Sequence, residues 1–473
     1  MGTKTRRAER PFGWRDKFGY LMGDFGCNMS FTLISSYMFI FFTQYIGINL
    51  LHYATIILLT KLWDGINDPV VGALVDRFTP KEGDKFRPWI FWGAIPLSLS
   101  AVVMFLDTTG WPYAGRLILC IVGYLVWDIA YTIVNVPYGS LNSAITAEPV
   151  QRSQLSTFRS FGAVVAGLPL GIIIPMVAYK TVSGQSIFQG QNMFGLALVL
   201  GIVAFLSFMA LYFGVRERIR HKATEEVKFN YFKTLKSFFS NRAIIAVSMA
   251  ALSQTIFIMS SSSLGQMTYQ MYFGNGKLSS LSILAYLVPM FVVAPLIKPL
   301  VKKYGNKEIC AWPMLGTIIV YLAMFILPIK SPYLWVGLQV IAALFSGGSL
   351  MVGWALVSDC IDYQELKTGR REEGSVYSTY SMIRKMGQGI GQAAIPAIIA
   401  LAIPGLVLNN SSTWNIDYAT QVKNLTVLFP LIGYSIMFIC YTFIYNLDKK
   451  TVAEMGVKLG RNVKDNTSTR EIA

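Results

Sequence analysis

The chain has 473 residues, 53% of them hydrophobic and 14% charged, with a formal net charge of +16. Ordinary soluble domains carry roughly 25% charged residues, so composition argues against a water-facing body and for one embedded in a membrane. The positive balance does not signal nucleic acid, because Lys and Arg lie between hydrophobic segments and form no aromatic-interleaved face.

In chain order, the basic start MGTKTRRAERPFGWRDK precedes a long apolar stretch without a small-residue cleavage site, which reads as a retained first helix rather than a signal peptide. A helix needs roughly 20 residues to cross a bilayer. Twelve such segments fall at approximately 18–46, 49–76, 88–106, 113–145, 154–179, 192–215, 241–273, 279–301, 308–327, 333–361, 375–403 and 421–445. The fold class expected is therefore an all-α polytopic membrane protein. It divides into a bundle over 1–215, a connecting loop over 216–240, a second bundle over 241–445 and a tail over 446–473. Basic residues crowd the amino-terminal tail, the second loop (Arg77, Lys81, Lys85, Arg87) and the eighth (Lys302, Lys303, Lys307), while Lys180, Lys277 and Lys330 stand nearly alone opposite. That asymmetry puts both termini in the cytoplasm of a cell-membrane protein. A weak internal echo supports two related halves: FRSFG at 158–162 opens segment five, and IRKMG at 383–387 lies early in segment eleven.

Segment one brings Asp24 and Asn28 one helical turn apart. Segment two contains TKLWDGINDPVVGALVDRF, where Lys61, Asp64 and Asp68 share a helix face, Asn67 lies alongside and Pro69 interrupts the backbone ladder. Carboxylates in hydrocarbon are costly and persist where they pair, line a cavity or carry an ion. Two carboxylates and an amide suit Na⁺ at Asp64 and Asp68, and the same acids suit a proton. Lys61 neutralises one acid and leaves the other needing a partner.

Segment four reads YLVWDIAYTIVNVPYGSL, with Asp128, Thr132 and Asn135 on one face and Trp127, Tyr131 and Tyr138 nearby. Short polar side chains beside aromatic rings suit a hydroxyl-rich ligand. Segment five adds Arg159, able to grip a carboxylate or to anchor at the interface. Trp354 in segment ten is either a stacking surface or a lipid-facing or core ring. Arg384 and Lys385 interrupt the otherwise uncharged segment eleven, and Lys385 is the expected charge partner of the acid pair.

These motifs together resemble the glycoside–pentoside–hexuronide cation symporter family of the major facilitator superfamily, typified by melibiose permease. The resemblance runs over nearly the whole chain, on YLMGDFGCN (20–28), WDGINDP (63–69), GDKFRPW (83–89), NVPYGSL (135–141), SDCIDYQELKTGRREEG (358–374) and SMIRKMGQ (381–388). It implies a twelve-helix major facilitator fold in two six-helix bundles. A cation would bind at Asp64, Asn67, Asp68 and Thr132, with Lys385 close by, and sugar at positions 28, 135 and 159. This chain has Asn28 and Asn135 where the melibiose transporter has aspartates, Cys27 where it has a lysine and Gly139 where it has a tryptophan. Two negative charges are thus gone while Arg159 stays, and NVPYGSL and RKMGQGIGQ look similar to the glucuronide-transporting branch.

The expected function is import of a glycoside, a glucuronide or related hexuronide first, coupled to Na⁺ or H⁺. Asp24, Asn28, Asp128, Tyr131, Asn135 and Arg159 form the substrate surface. Asp128 weighs against an anionic sugar unless paired. A neutral pentoside or glucoside, or an uncoupled facilitator or exchanger, is the alternative. The expected partners are sugar, a monovalent cation and lipid, with no nucleic acid, no cofactor and a monomeric state. His52 and His221 carry no catalytic motif, so no enzyme is expected. The five scattered cysteines read as buried thiols.

Overall fold

In hydrocarbon the backbone has no partner but itself, so long apolar runs with few charges become helices. The computed structural model describes residues 10–77, 84–146, 148–182, 185–219, 241–259, 261–369, 373–411 and 414–459, and some helical side chains, that of Asp68 among them, lie outside this set. Residues 220–240 of the expected connecting loop and the tail beyond 459 also lie outside it.

The elements begin with α1 (Trp14–Ile40), which runs into a π-helical turn (Phe41–Tyr45), then α2 (Leu50–Arg77), α3 (Arg87–Val103), α4 (Tyr113–Ile145) and α5 (Pro149–Ala178). A hairpin of β1 (Tyr179–Val182) and β2 (Gln185–Phe188) leads into α6 (Gln191–Gly214). Next come α7 (Arg242–Ser253), a second π turn (Gln254–Met259), α8 (Ser261–Met271), a 3₁₀ stretch (Gly276–Ile283) and α9 (Leu284–Tyr304). The chain closes with α10 (Asn306–Ala311), α11 (Pro313–Ile326), α12 (Pro332–Thr368), α13 (Glu373–Ala402), α14 (Ile416–Ile439) with its terminal π turn, and α15 (Lys449–Lys458). Among the described residues, nine helical stretches are long and apolar enough to cross a membrane by length and composition. The hairpin is a departure from the all-helical expectation. Its strands pair antiparallel, with Tyr179 opposite Phe188, on a short polar run of β-branched and aromatic residues that has left the apolar helix.

Contacts divide the chain into two compact units: Met1–Val227 with Ser260–Ile283 and Gly389–Thr426, and Lys228–Met259 with Leu284–Gln388 and Val427–Ala473. In the first, glycines let helices approach closely. A Cβ on Gly162 of α5 would strike the Leu21 carbonyl of α1, and one on Gly23 would strike the Tyr138 ring of α4. Glu217, just past α6, accepts the backbone N–H groups of Lys85, Phe86 and Arg87, each at 2.8 Å. It thereby caps the start of α3, where three donors have no helical partner. The GDKFRPW motif is thus tied to the end of α6, with Arg87 stacked over Tyr212 at 4.4 Å.

The second unit packs around Val247, Met314, Leu356, Tyr441 and their buried neighbours. Gly387 of α13 lies against Thr255 in the second π turn, so that an added Cβ would strike the Thr255 hydroxyl. The sequence echo has a physical counterpart: the glycine closing FRSFG packs on α1, and the glycine closing IRKMG packs on the opening pass of the second unit. All five cysteines are free and buried.

Candidate functional site

Two polar clusters are buried in the first unit. One is built on α2 and α4. Lys61 Nζ donates to Asp64 Oδ2 at 2.7 Å, the two side chains sitting one turn apart on α2. Across from them, Asp128 of α4 is 5% exposed and interacts electrostatically with Asp64 and Lys61. Asn67 donates through Nδ2 to Thr132 Oγ1 at 3.3 Å. Lys61 also lies over the Tyr124 ring, 5.3 Å from its centroid. Gly389 of α13 abuts the Lys61 stem, where a Cβ would fall 2.5 Å from the lysine Cβ.

Asp128 was expected at the substrate surface; the structure sets it beside the residues expected to hold the cation. Asp64 Oδ1 and Asp128 Oδ2 are buried without a hydrogen-bond partner among the described residues. Two carboxyls against one ammonium leave an uncompensated negative charge in a medium that penalises it. Hard oxygen donors on Asp64, Asp128, Asn67 and Thr132 suit Na⁺, and a carboxyl pair equally suits a shared proton. The Asp68 side chain lies outside the described residues. Tyr124 escaped the sequence reading, although Tyr124, Asp128 and Thr132 recur at i, i+4 and i+8 on one face of α4.

The other cluster joins α1, α4 and α5. Arg159 Nε donates to Asp24 Oδ1 at 3.1 Å. Asn28 Nδ2 donates to the Asp24 backbone carbonyl at 2.8 Å and to Asp24 Oδ2 at 3.3 Å. The Arg159 guanidinium rests over the Tyr138 ring at 5.0 Å. Tyr138 Oη in turn donates to the Tyr20 carbonyl at 2.7 Å, which fixes the ring between α1 and α4. Asn135, half-buried on α4, makes no side-chain hydrogen bond to another described residue, which leaves its amide open to a ligand. Gly139 keeps the space beside the guanidinium clear, since a Cβ there would meet only Arg159 Nη1 at 3.9 Å.

The aromatic residues divide by role. Trp127 is buried and donates Nε1–H to Ser30 Oγ at 2.6 Å, so it is a packing residue. Tyr131 lies 5.3 Å from it, between centroids, and borders the Asp24 cluster. A cavity of about 320 Å³ between α2 and α4 is lined by Ile56, Leu59, Thr60, Trp63, Ile121, Leu125 and Ile129. It is too apolar to satisfy sugar hydroxyls.

In the second unit, Lys385 is exposed on α13. Arg384 beside it lies over Trp354 of α12 at 5.3 Å, and Trp354 meets the Tyr380 ring edge-on at 5.4 Å. Trp354 thus faces a guanidinium, an environment the sequence reading did not foresee.

Comparison with known proteins follows this geometry. A family model described as MFS/sugar transport protein matches residues 19–449. The chain is 30% identical over 459 residues to the uncharacterized symporter YjmB of Bacillus subtilis (strain 168), covering 95% of each. It is 28% identical over 459 residues to the glucuronide carrier protein homolog of Escherichia coli (strain K12), covering 96% of this chain and 97% of that one. The fold is similar to an inward-facing, unoccupied bacterial homologue of the lysosomal transporter Spinster, with a TM-score of 0.60 and 16% identity over 91% of this chain and 96% of that one. These matches are to transport proteins, not enzymes. A largely helical membrane body, buried polar clusters within it and a model match over most of its length establish that the chain belongs to the MFS/sugar transport protein family.

Proposed function

We propose that this chain is a cation-coupled symporter of the glycoside–pentoside–hexuronide type, with twelve transmembrane helices in two bundles and both termini in the cytoplasm. It imports a glycoside, with a glucuronide or related hexuronide as the first substrate. The observation that carries the coupling is the buried Asp64–Lys61–Asp128 cluster. Its surplus negative charge is tolerable when Na⁺ or a proton periodically neutralises it. Asp68 belongs to the same proposed cation site. Lys385 is the proposed competitor of the cation.

Sugar hydroxyls are proposed to bind at Asp24, Asn28, Asn135, Arg159 and the Tyr131 ring. The placement of Asp128 beside Asp64 and Lys61 supports an anionic sugar, because that acid lies in the other cluster. The Arg159–Asp24 pair favours the second reading, a neutral pentoside or glucoside, because it presents the ligand with a neutral hydrogen-bonding edge. Labelled methyl β-D-glucuronide and methyl β-D-glucoside uptake into vesicles, with Na⁺ and pH gradients imposed separately, decides between them. Uptake indifferent to both gradients would mean an uncoupled facilitator, and transport of neither sugar would end the proposal.

A further inference from the structure

We propose that Gln44, Ser186 and Gln270 form the outer gate of the transport path, a polar latch that must part before a sugar enters from outside. The extracellular placement rests on the topology proposed above.

The first compact unit holds more than the first bundle expected from the sequence. Ser260–Ile283 and Gly389–Thr426, both from the expected second bundle, pack within it. Lys277 lies in the first of these pieces and Lys180 in the β1–β2 hairpin, and both belong to the loops poor in basic residues. Chain from the two expected bundles therefore meets at the extracellular end.

That contact is polar and buried. Gln270 Nε2 of α8 donates to Gln44 Oε1 of the first π turn at 3.0 Å and to the Ser186 carbonyl of β2 at 3.2 Å. The Gly276 N–H, opening the 3₁₀ stretch, donates to Ser186 Oγ at 2.8 Å. A Cβ on Gly276 would fall 2.6 Å from the Tyr179 ring, so the approach is as close as glycine permits. Gln44 is 8% exposed, and Gln270 and Ser186 are 2% exposed each. The Ser186 carbonyl can only accept, which fixes the way the Gln270 amide points. Gln44 Nε2 and Gln270 Oε1 are then left buried without a partner among the described residues. Such groups are costly when buried and are satisfied by water once the contact opens. The latch holds through a few hydrogen bonds and gains hydration on parting, as a gate requires and a permanent joint does not.

The test is the distance between spin labels on Lys180→Cys and Lys277→Cys, measured by double electron–electron resonance on the full-length protein in nanodiscs. Both lysines are exposed, and the native cysteines are buried. In the unmodified protein the short distance dominates. Gln270→Glu sets a carboxylate against two acceptors, and Gly276→Ala drives a methyl group into the Tyr179 ring. Each should raise the ratio of long to short distances roughly tenfold, the change that one net hydrogen bond produces. Gln44→Leu with Gln270→Leu replaces both amides by apolar groups of similar shape, so the ratio should stay at or below that of the unmodified protein. An unchanged distribution in Gln270→Glu and Gly276→Ala, or a rise in the double leucine variant, overturns the latch. Reaction of Lys277→Cys with a membrane-impermeant maleimide on intact cells supports the extracellular placement. Reaction confined to inverted vesicles overturns the topology, and the outer assignment with it, whatever the distances show.

Discussion

Arg159 Nε donates to Asp24 Oδ1 at 3.1 Å while the guanidinium rests on the Tyr138 ring. α5, α1 and α4 therefore meet at one polar point. Because Asn28 also donates to Asp24, the acid is held by two donors and orients the arginine rather than repelling a sugar. Arg159→Gln removes a charge-assisted hydrogen bond and leaves Asp24 partly unpaired, at about 2–3 kcal/mol. Apparent affinity should fall roughly 30–150-fold for uronide and neutral glycoside alike. A loss confined to one of them in competition binding would contradict this role.

Asp64→Asn and Asp128→Asn each neutralise one member of the buried cluster. Either change should abolish gradient-driven accumulation. Sugar exchange at equal concentrations on both sides should persist, because exchange needs no net return of the cation site. Asp68→Asn is expected to share the loss of accumulation. Full concentrative uptake by any of the three, at unchanged membrane levels, would remove that residue from the coupling site.

Gly162 and Gly167 lie on the same helix in opposite circumstances. A Cβ at Gly162 would press on the Leu21 backbone carbonyl, whereas one at Gly167 meets nothing within 4 Å. Backbone cannot swing aside as a side chain does. Gly162→Ala should therefore cost at least the 1–3 kcal/mol typical of overpacking and reduce the folded yield. Gly167→Ala should be neutral or slightly stabilising. Fluorescence-detected size-exclusion chromatography of the two variants checks the contrast.

Asp107, in the connection between α3 and α4, accepts the backbone N–H and hydroxyl of Thr109 and the hydroxyl of Tyr45, the last at 2.7 Å. The Thr109 N–H, foremost among these donors, holds the carboxyl below its usual range. A depressed carboxyl stabilises the fold above its unfolded pKa, and the contribution fades as pH falls through the folded value. The melting difference between the unmodified protein and Asp107→Asn should be full at neutral pH and shrink progressively as pH falls below about 4. A difference that persisted undiminished in acid would refute the linkage.

The helical membrane body was legible in the sequence because hydrocarbon permits little else. A run of about 20 apolar residues spans the bilayer as a helix whatever its neighbours. The pairs Lys61–Asp64 and Asp24–Asn28 could likewise be read from one-turn spacing, a property of a single helix. Asp128 could not be placed that way. Its spacing to Thr132 and Asn135 put it on their face of α4, and only the packing of α4 on α2 set it against Asp64 and Lys61 rather than the sugar surface. The attachment of Arg159 to Asp24 and the stacking of Arg384 on Trp354 were equally undecided, because local periodicity fixes the face a residue occupies but not the helix that face meets. The β1–β2 hairpin was missed for a related reason: two four-residue strands carry too weak an alternation to stand out beside long apolar spans. The sequence by itself determined which residues are embedded and which share a face. Tertiary structure decided which charges are already paired, since pairing depends on distances between helices that the chain brings together only on folding.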